Sequence, residues 1–367
     1  MVRRALRNDP RKGAVLGFGV AFVVLTAAGL DAATAETLPE ALVKAYQANP
    51  QLNAERARQR ATDENVPQAL AGYRPQIMAS LSAGLQQVRD LLPGNSVANV
   101  TLRPWTIGVT VTQVLFNGFK TANSVRVAEF QVKSGREALR NVGQGVLLDG
   151  VTAYMSVLAN QALVEAQRAN VNFLRETLAI TKRRLDAGDV TPTDTAQAEA
   201  RLSRGLSDLN AAEVAYAISK ETYAQVIGQS PGSLIPAETV DRLSPATLAA
   251  SSTAARSENP AVVAASYDVE VATTTISVAE SSLLPQVSVQ GGVSRSVETD
   301  TTLGSFRTDQ ASIIGQASVP IYDGGTAASQ TRQAKELASQ SRMVLEQVRN
   351  QARTAVASAW VLSLIHI

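Results

Sequence analysis

Val114-Leu115-Phe116-Asn117-Gly118 closes a stretch in which Ile107, Val109 and Val111 alternate with Gly108, Thr110 and Thr112, and it opens a run without proline that lasts to Pro192. The alternation has the two-residue period of a strand with one apolar face, and the run after it has the composition of a long helix. The same transition returns at Pro320-Ile321-Tyr322-Asp323-Gly324, an offset of 206 residues from Phe116 to Tyr322. At that offset Arg126 meets Arg332, Ala128 meets Ala334, Arg136 meets Arg342, Leu139 meets Leu345, Val142 meets Val348, and Tyr154 meets Trp360. Upstream, Asn49-Pro50 followed by Arg74-Pro75-Gln76 is echoed by Asn259-Pro260 followed by Leu284-Pro285-Gln286, at an offset of 210. A loop four residues different in length accounts for the change. Landmarks that recur in order read as two tandem copies of one unit.

Each copy reads as helix, strand, strand and long helix. Thr37-Leu38-Pro39-Glu40 has the form of a capping box that opens a short helix, which Asn49-Pro50 ends. Gln51 to Leu70 is helical in composition, with Pro67 a kink or early stop. Strands are expected at about 76–90 and 100–116 in the first copy, and at about 286–298 and 306–321 in the second. Long helices follow at about 120–187 and 192–227, and from about 325. The first of these would be roughly 100 Å long. Gly135, Gly143, Gly145 and Gly150 weaken it locally, but their counterparts Ser341, Arg349, Gln351 and Val356 support a helix.

Val171, Leu174, Leu178, Thr181 and Leu185 recur at three-four spacing, as do Leu209, Ala212, Tyr216, Ser219, Tyr223 and Val226, which predicts a coiled-coil hairpin. Gly188-Asp189-Val190-Thr191-Pro192-Thr193-Asp194 is its reversal, with Thr191 suited to the N-cap, Pro192 to the first helical position and Asp194 to the third. Lys182, Arg183 and Arg184 suit the end of the preceding helix. The copies are thus expected at 36–228 and 246–361, joined by a linker at 229–245.

Of 367 residues, 45% are hydrophobic, 18% charged and 4% aromatic, and none is cysteine. Disulfide scaffolds, thiolate metal sites and cysteine nucleophiles are excluded. Arg3, Arg4, Arg7, Arg11 and Lys12 precede the apolar run from Gly13 to Leu30, and Ala33-Thr34-Ala35 supplies small residues for signal cleavage. Residues 1–35 therefore read as a signal peptide, against the alternative of an uncleaved anchor. Without them 29 Lys and Arg face 30 Asp and Glu, so no basic field for nucleic acid remains. No further apolar run of transmembrane-helix length stands out, which leaves β-structure or a surface helix as the membrane contact. The single histidine, His366, falls in the expected tail, and no phosphate loop or carboxylate constellation suggests an enzyme, a metal or a cofactor; the scattered acids read as solvated helix faces.

Four strands in one chain cannot close a barrel, and an open edge is not tolerated in lipid, so several copies must contribute. Phe116 and Tyr322 stand at the strand-to-helix junctions, where they read either as an aromatic girdle at the inner membrane face or as core aromatics at a bend.

Taken together, these residues resemble the outer membrane efflux proteins, the TolC family of Gram-negative bacteria, over roughly Glu36 to Trp360. The resemblance rests on the Asn-Pro and Pro-Gln landmarks with Pro75 and Pro285, on the Leu115-Phe116-Asn117-Gly118 and Ile321-Tyr322-Asp323-Gly324-Gly325 junctions, and on Arg184-x-x-x-Gly188-x-x-Thr191-x-x-Asp194-x-x-x-Ala198. Asp63 to Pro75, with Pro67 inside it, is similar to the type I secretion branch.

The resemblance implies a mainly α fold with membrane β: a homotrimer whose strands form one 12-stranded barrel in outer membrane lipid, continued by a periplasmic α-helical barrel. It implies a passive exit duct for type I protein secretion or multidrug efflux, with no cofactor. Partners would be a periplasmic adaptor and, through it, an inner-membrane ABC or proton-driven transporter. Residues Arg184, Gly188, Val190, Thr191, Thr193 and Asp194 would form the docking and gating tip, where Asp194 matches a family aspartate that ties neighbouring helices; it is equally placed as a helix-start acid. The second copy stops seven residues after Trp360, so its hairpin is expected to be incomplete, with 362–367 a non-native tail.

Two other readings compete. A periplasmic adaptor also carries a long hairpin beside β-structure, but has one hairpin nested in other domains, whereas here strands lie between helices twice. A fibrous coiled coil explains the heptads and not the strands.

Overall fold

The computed structural model describes residues 36–92, 96–237, 247–300 and 304–366. The expected signal peptide, with Ala33 and Ala35, lies outside the described residues, as does part of the expected linker. Helices α1 (Leu38–Ala48), α2 (Pro50–Asp63) and α3 (Asn65–Leu70) lead through a short 3-10 turn into strands β1 (Gln76–Ala83), β2 (Gln86–Leu92) and β3 (Ser96–Asn117). Helices α4 (Lys120–Asp186) and α5 (Pro192–Ile227) make the hairpin. The second half repeats the order with α6 (Leu248–Glu258), α7 (Pro260–Glu280), β4 (Gln286–Asp300), β5 (Gly304–Ser318) and α8 (Thr326–His366).

The repeat is visible in three dimensions. Asn49 and Asn259 cap their helices with nearly the same backbone angles, φ −59° and ψ 123° against φ −63° and ψ 124°, and each side chain accepts from the N–H two residues on at 2.9 Å. Gln76 pairs with Thr112 across the first hairpin of strands, and Gln286 pairs with Ser318 across the second, which is the same register after the two offsets. The cores also correspond. Ala45, Leu52 and Val146 are buried together in the first half, and their counterparts Ala255, Val262 and Ala352 are buried together in the second.

Differences between the halves have local causes. The segment read as helical from Gln51 to Leu70, with Pro67 a kink or early stop, breaks at Glu64, three positions before Pro67, because a proline cannot donate to the helix and its ring crowds the carbonyl one turn earlier. In α7 the position equivalent to Pro67 is Ser277, and the helix is continuous.

The strand read as 76–90 is two strands, β1 and β2, separated at Gly84-Leu85. Pro104 stands opposite the gap: its carbonyl accepts from Gly84 N–H at 3.0 Å, but it has no N–H to return. On its other side Pro104 faces Glu298 without interrupting the β3–β4 ladder. The strand read as 306–321 stops at Ser318, ahead of Pro320.

The helices pack as the heptads require. Val157, Val164 and Val171 are buried at seven-residue steps along α4, and Gly205, Ala212 and Ser219 at seven-residue steps along α5. Gly205 lets the helices approach: a Cβ there would lie 2.7 Å from Leu174 Cδ1. One 18-residue window of α4 reaches a mean hydropathy of 1.3, so a run of membrane-helix length and apolarity does exist after residue 35; a third of it is buried within the chain. At the base of the hairpin the linker is fastened to the start of the described chain. Glu36 N–H donates to Ser233 O at 2.7 Å, Ile235 N–H donates to Glu36 O at 3.1 Å, and the buried Tyr154 hydroxyl lies 2.6 Å from Ile235 O and 2.9 Å from Glu36 O. Burial pushes the Tyr154 phenol above its ordinary range.

Candidate functional site

Two regions carry the candidate residues, one at the far end of the hairpin and one where strands become helices.

At the tip, α4 ends in a pair of backbone bonds that leave the chain in the left-handed region at Gly188, φ +81°. Gly188 N–H donates to Leu185 O at 2.9 Å and Asp189 N–H donates to Arg184 O at 2.8 Å, so the last carbonyls of the helix are satisfied. Two residues later α5 begins. Thr191 is its N-cap, Pro192 its first residue, and the Asp194 carboxylate accepts from Thr191 N–H and from Thr191 Oγ, each at 2.8 Å. These bonds, the backbone one first, hold the Asp194 carboxyl below the usual carboxylate range, with a smaller contribution from the Arg184 charge. Arg184, Gly188, Thr191 and Asp194 are thus brought into one turn. Val190 is half-buried beside them and Thr193 is exposed. Composition does not flag two ion pairs that cross the hairpin: Lys182 to Glu199 at 2.8 Å and Arg168 to Glu213 at 2.9 Å.

At the other end each copy makes a sharp turn from strand to helix. Gly118 and Phe119 are both left-handed, at φ +63° and +64°, and their counterparts Gly324 and Gly325 are at +70° and +85°. Phe119 is the one non-glycine residue in that region among the described residues, and it stacks edge-on against Phe116 at 5.2 Å. Asn117 caps α4, accepting from Thr121 N–H at 3.3 Å and donating to Thr121 Oγ1 at 2.6 Å. Asp323 does the same for α8, accepting from Gly325 N–H at 2.9 Å and from Ala327 N–H at 2.6 Å, which lowers its pKa. Pro75 and Pro285 each follow a short 3-10 turn and an extended residue, Arg74 and Leu284.

The strands form one antiparallel sheet in the order β1, β3, β4, β5, with β2 extending the β1 side. Ile77, Val111, Gly291 and Ile313 share one row, and Ala79, Val109, Val293 and Ala311 the next, so one face is apolar. The other carries Met78, Thr110 and Gly292 in one row and Ser80, Gly108 and Ser294 in the next. Along β3 the apolar residues Trp105, Ile107, Val109 and Val111 are exposed while the intervening ones are half-buried, as in a sheet curved with its apolar face outward.

A bulge at Leu115 shifts the register between Val114 and Phe116. Alternation alone would put Phe116 with Thr110 and Thr112; the bulge instead places it opposite Val287, on the apolar face. Tyr322 lies beyond the end of β5 and is 87% exposed.

Comparison with known proteins agrees with this architecture. The family model for the outer membrane efflux protein matches residues 41–229 and 252–364. The chain is 37% identical over 332 residues to the outer membrane efflux protein BepC of Brucella suis, covering 90% of this chain and 70% of that one. It is 28% identical over 313 residues to the outer membrane protein TolC of Vibrio cholerae, covering 83% and 69%. Among solved structures it resembles CusC, with a TM-score of 0.72 at 18% identity over 89% of this chain and 75% of that one, and VceC of Vibrio cholerae, with 0.71 at 16% over 89% and 79%. The two matched segments flank the linker and each holds one copy of the repeat. The chain belongs to the outer membrane efflux protein family, with its sheet in the Gram-negative outer membrane and its helices in the periplasm.

Proposed function

We propose that this protein is the exit duct of a tripartite export system, a passive conduit that assembles as a homotrimer. The observation that carries the reading is a sheet four strands wide, β2 continuing β1, with an apolar outer face and two edges unpaired among the described residues, mounted on a helix, α4, some 100 Å long. An open sheet edge is not tolerated in lipid, and copies joined edge to edge remove it. Three chains supply twelve strands. The hairpin then reaches across the periplasm, and its tip, from Arg184 to Asp194, docks a periplasmic adaptor coupled to an inner-membrane ABC or proton-driven transporter. Asp194 and Arg184 contribute charge at the gate. Phe116 and Tyr322 form the inner aromatic girdle.

The chain's own residues move cargo by shape and charge, with no bond made or broken. Type I protein secretion fits the Asp63 to Pro75 segment and the similarity, 26% identical over 272 residues, to the alkaline protease secretion protein AprF of Pseudomonas aeruginosa. The test is reconstitution of the purified protein in planar bilayers with its oligomeric state measured after gentle solubilisation. Discrete conductance steps from a trimer are expected; a monomer with no steps overturns the reading.

A further inference from the structure

The outward face of the sheet changes character along its height. Moving away from the helices, the rows Val111–Gly291–Ile313 and Val109–Val293–Ala311 are apolar. The next are Ile107–Arg295–Asp309, Trp105–Val297–Arg307 and Arg103–Thr299–Ser305. Three arginines therefore follow directly on an apolar surface. Arg89 lies further out on the same face, since Gln86 pairs with Leu102 and Arg89 with Asn99. The one acid among these residues is Asp309, and Glu298 is on the opposite face of β4.

The arginines are organised. Asp309 accepts from Arg295 Nε at 2.6 Å and Nη2 at 3.3 Å, and from Arg307 Nη2 at 2.6 Å and Nε at 3.1 Å. One carboxylate thus orients two guanidiniums and neutralises one, and all three side chains stay about half exposed. Each guanidinium has five N–H donors in a planar fork, which suits bidentate contact with phosphate oxygens.

Height decides what these donors meet. From Phe116 to Trp105, both on the outward face, the sheet rises by the 10 residues that separate their partners Val287 and Val297, or about 33 Å of strand, and about 25 Å of height at the usual tilt of about 40°. That is close to the apolar band of an outer membrane barrel, about 25 Å tall between its aromatic girdles. Trp105 marks the outer girdle; Arg307 stands in its row, Arg295 one row nearer the helices and Arg103 one row further out, at the headgroups of the leaflet away from the periplasmic helices. There an exposed guanidinium is tolerated and faces lipid phosphate.

We propose that Arg295 and Arg307, oriented by Asp309 and joined by Arg103, bind the phosphate groups of an anionic lipid headgroup in the outer leaflet. The proposal rests on the membrane reading of the sheet, which quenching of Trp105 fluorescence by brominated acyl chains, in a Trp360→Phe background, tests on its own. The purified protein in detergent is mixed with lipid A carrying its phosphates, or with dephosphorylated lipid A, and retained lipid is counted by native mass spectrometry. Retention is expected for the phosphorylated form, to fall at least tenfold in Arg295→Gln/Arg307→Gln, and to resist millimolar inorganic phosphate. Arg295→Lys/Arg307→Lys keeps the charge without the fork; it is expected to retain phosphorylated lipid severalfold less than the native protein, and it carries the test should the glutamine pair fail to fold. Equal retention of both lipids, unchanged retention in both pairs, or displacement by inorganic phosphate overturns the proposal.

Discussion

The Asp194 carboxylate takes both hydrogen bonds that Thr191 has to give, from the backbone N–H and from Oγ, each at 2.8 Å, and so locks the first turn of α5 against the reversal. Its folded-state pKa lies below the ordinary aspartate value, so the contribution is complete above that ordinary value and is lost as pH falls through the lowered one. Asp194→Asn is expected to raise amide hydrogen exchange at Thr191 to Asp194 several-fold at neutral pH, with the acid dependence removed. Thr191→Ala should give the same result, and the double variant should add little, because the two residues act as one unit.

Gly118 and Gly324 are equivalent in sequence and in backbone angle, yet they differ in surroundings. A Cβ at Gly118 would lie 2.5 Å from Ser281 O and 2.6 Å from Leu284 Cβ, whereas nothing lies within 4 Å at Gly324. Gly324→Ala is expected to cost about 1 kcal/mol, the left-handed strain alone. Gly118→Ala adds overpacking of about 1–3 kcal/mol. Unfolding midpoints of the two variants in detergent, compared side by side, check the difference; equal shifts would contradict the packing.

The bulge at Leu115 makes a sharp expectation about Phe116. In Phe116→Trp the new indole is expected to be quenched by brominated lipid. Deleting Leu115 in that background moves the side chain to the face of Thr110 and Thr112, since a one-residue slip inverts every position after it. Quenching at position 116 should then disappear, read against the constant signal of Trp105.

The seam between the two halves also specifies the seam between copies in the proposed trimer. Within the chain Thr112 pairs with Gln290, and the offsets of 206 and 210 carry that pair to Ser318 and Ser80. Since the chain has no cysteine, Ser80→Cys/Ser318→Cys is expected to give chain-to-chain disulfides under mild oxidation. Ser82→Cys/Ser318→Cys, one row out of register, should cross-link at least tenfold less; the opposite order would sink the register.

Much of the architecture is legible before any coordinates. The three-four spacing of Val171, Leu174, Leu178, Thr181 and Leu185 reports the helix pair because a buried stripe leaves its own period, and the repeated Asn-Pro and Pro-Gln landmarks report the duplication because each is a backbone device with few acceptable residues. What escapes the sequence depends on a partner strand. Pro104 interrupts pairing with β2 and not with β4, and nothing in its own neighbourhood says which side its missing N–H faces. The Leu115 bulge is equally silent, for it exists only relative to Val287 and Ser288. At the tip, Thr191, Pro192 and Asp194 are readable because capping is local chemistry. The ion pairs Lys182–Glu199 and Arg168–Glu213 are not, since they join residues on opposite arms. The arginine-rich rim was open to discovery: Arg295 falls on the apolar parity of an alternating strand, and a charge at such a position asks for a reason.

Pro104 has a mechanical consequence. Above it, the outer ends of β2 and β3 are tied to the membrane-embedded part of the first hairpin by a ladder with a missing rung, while the β3–β4 side remains whole. The outer hairpin of the first copy can flex about Gly84-Leu85 without prying open the strands beneath it. In the proposed trimeric barrel a pull on the rim is absorbed at that hinge, and the bore below keeps its diameter.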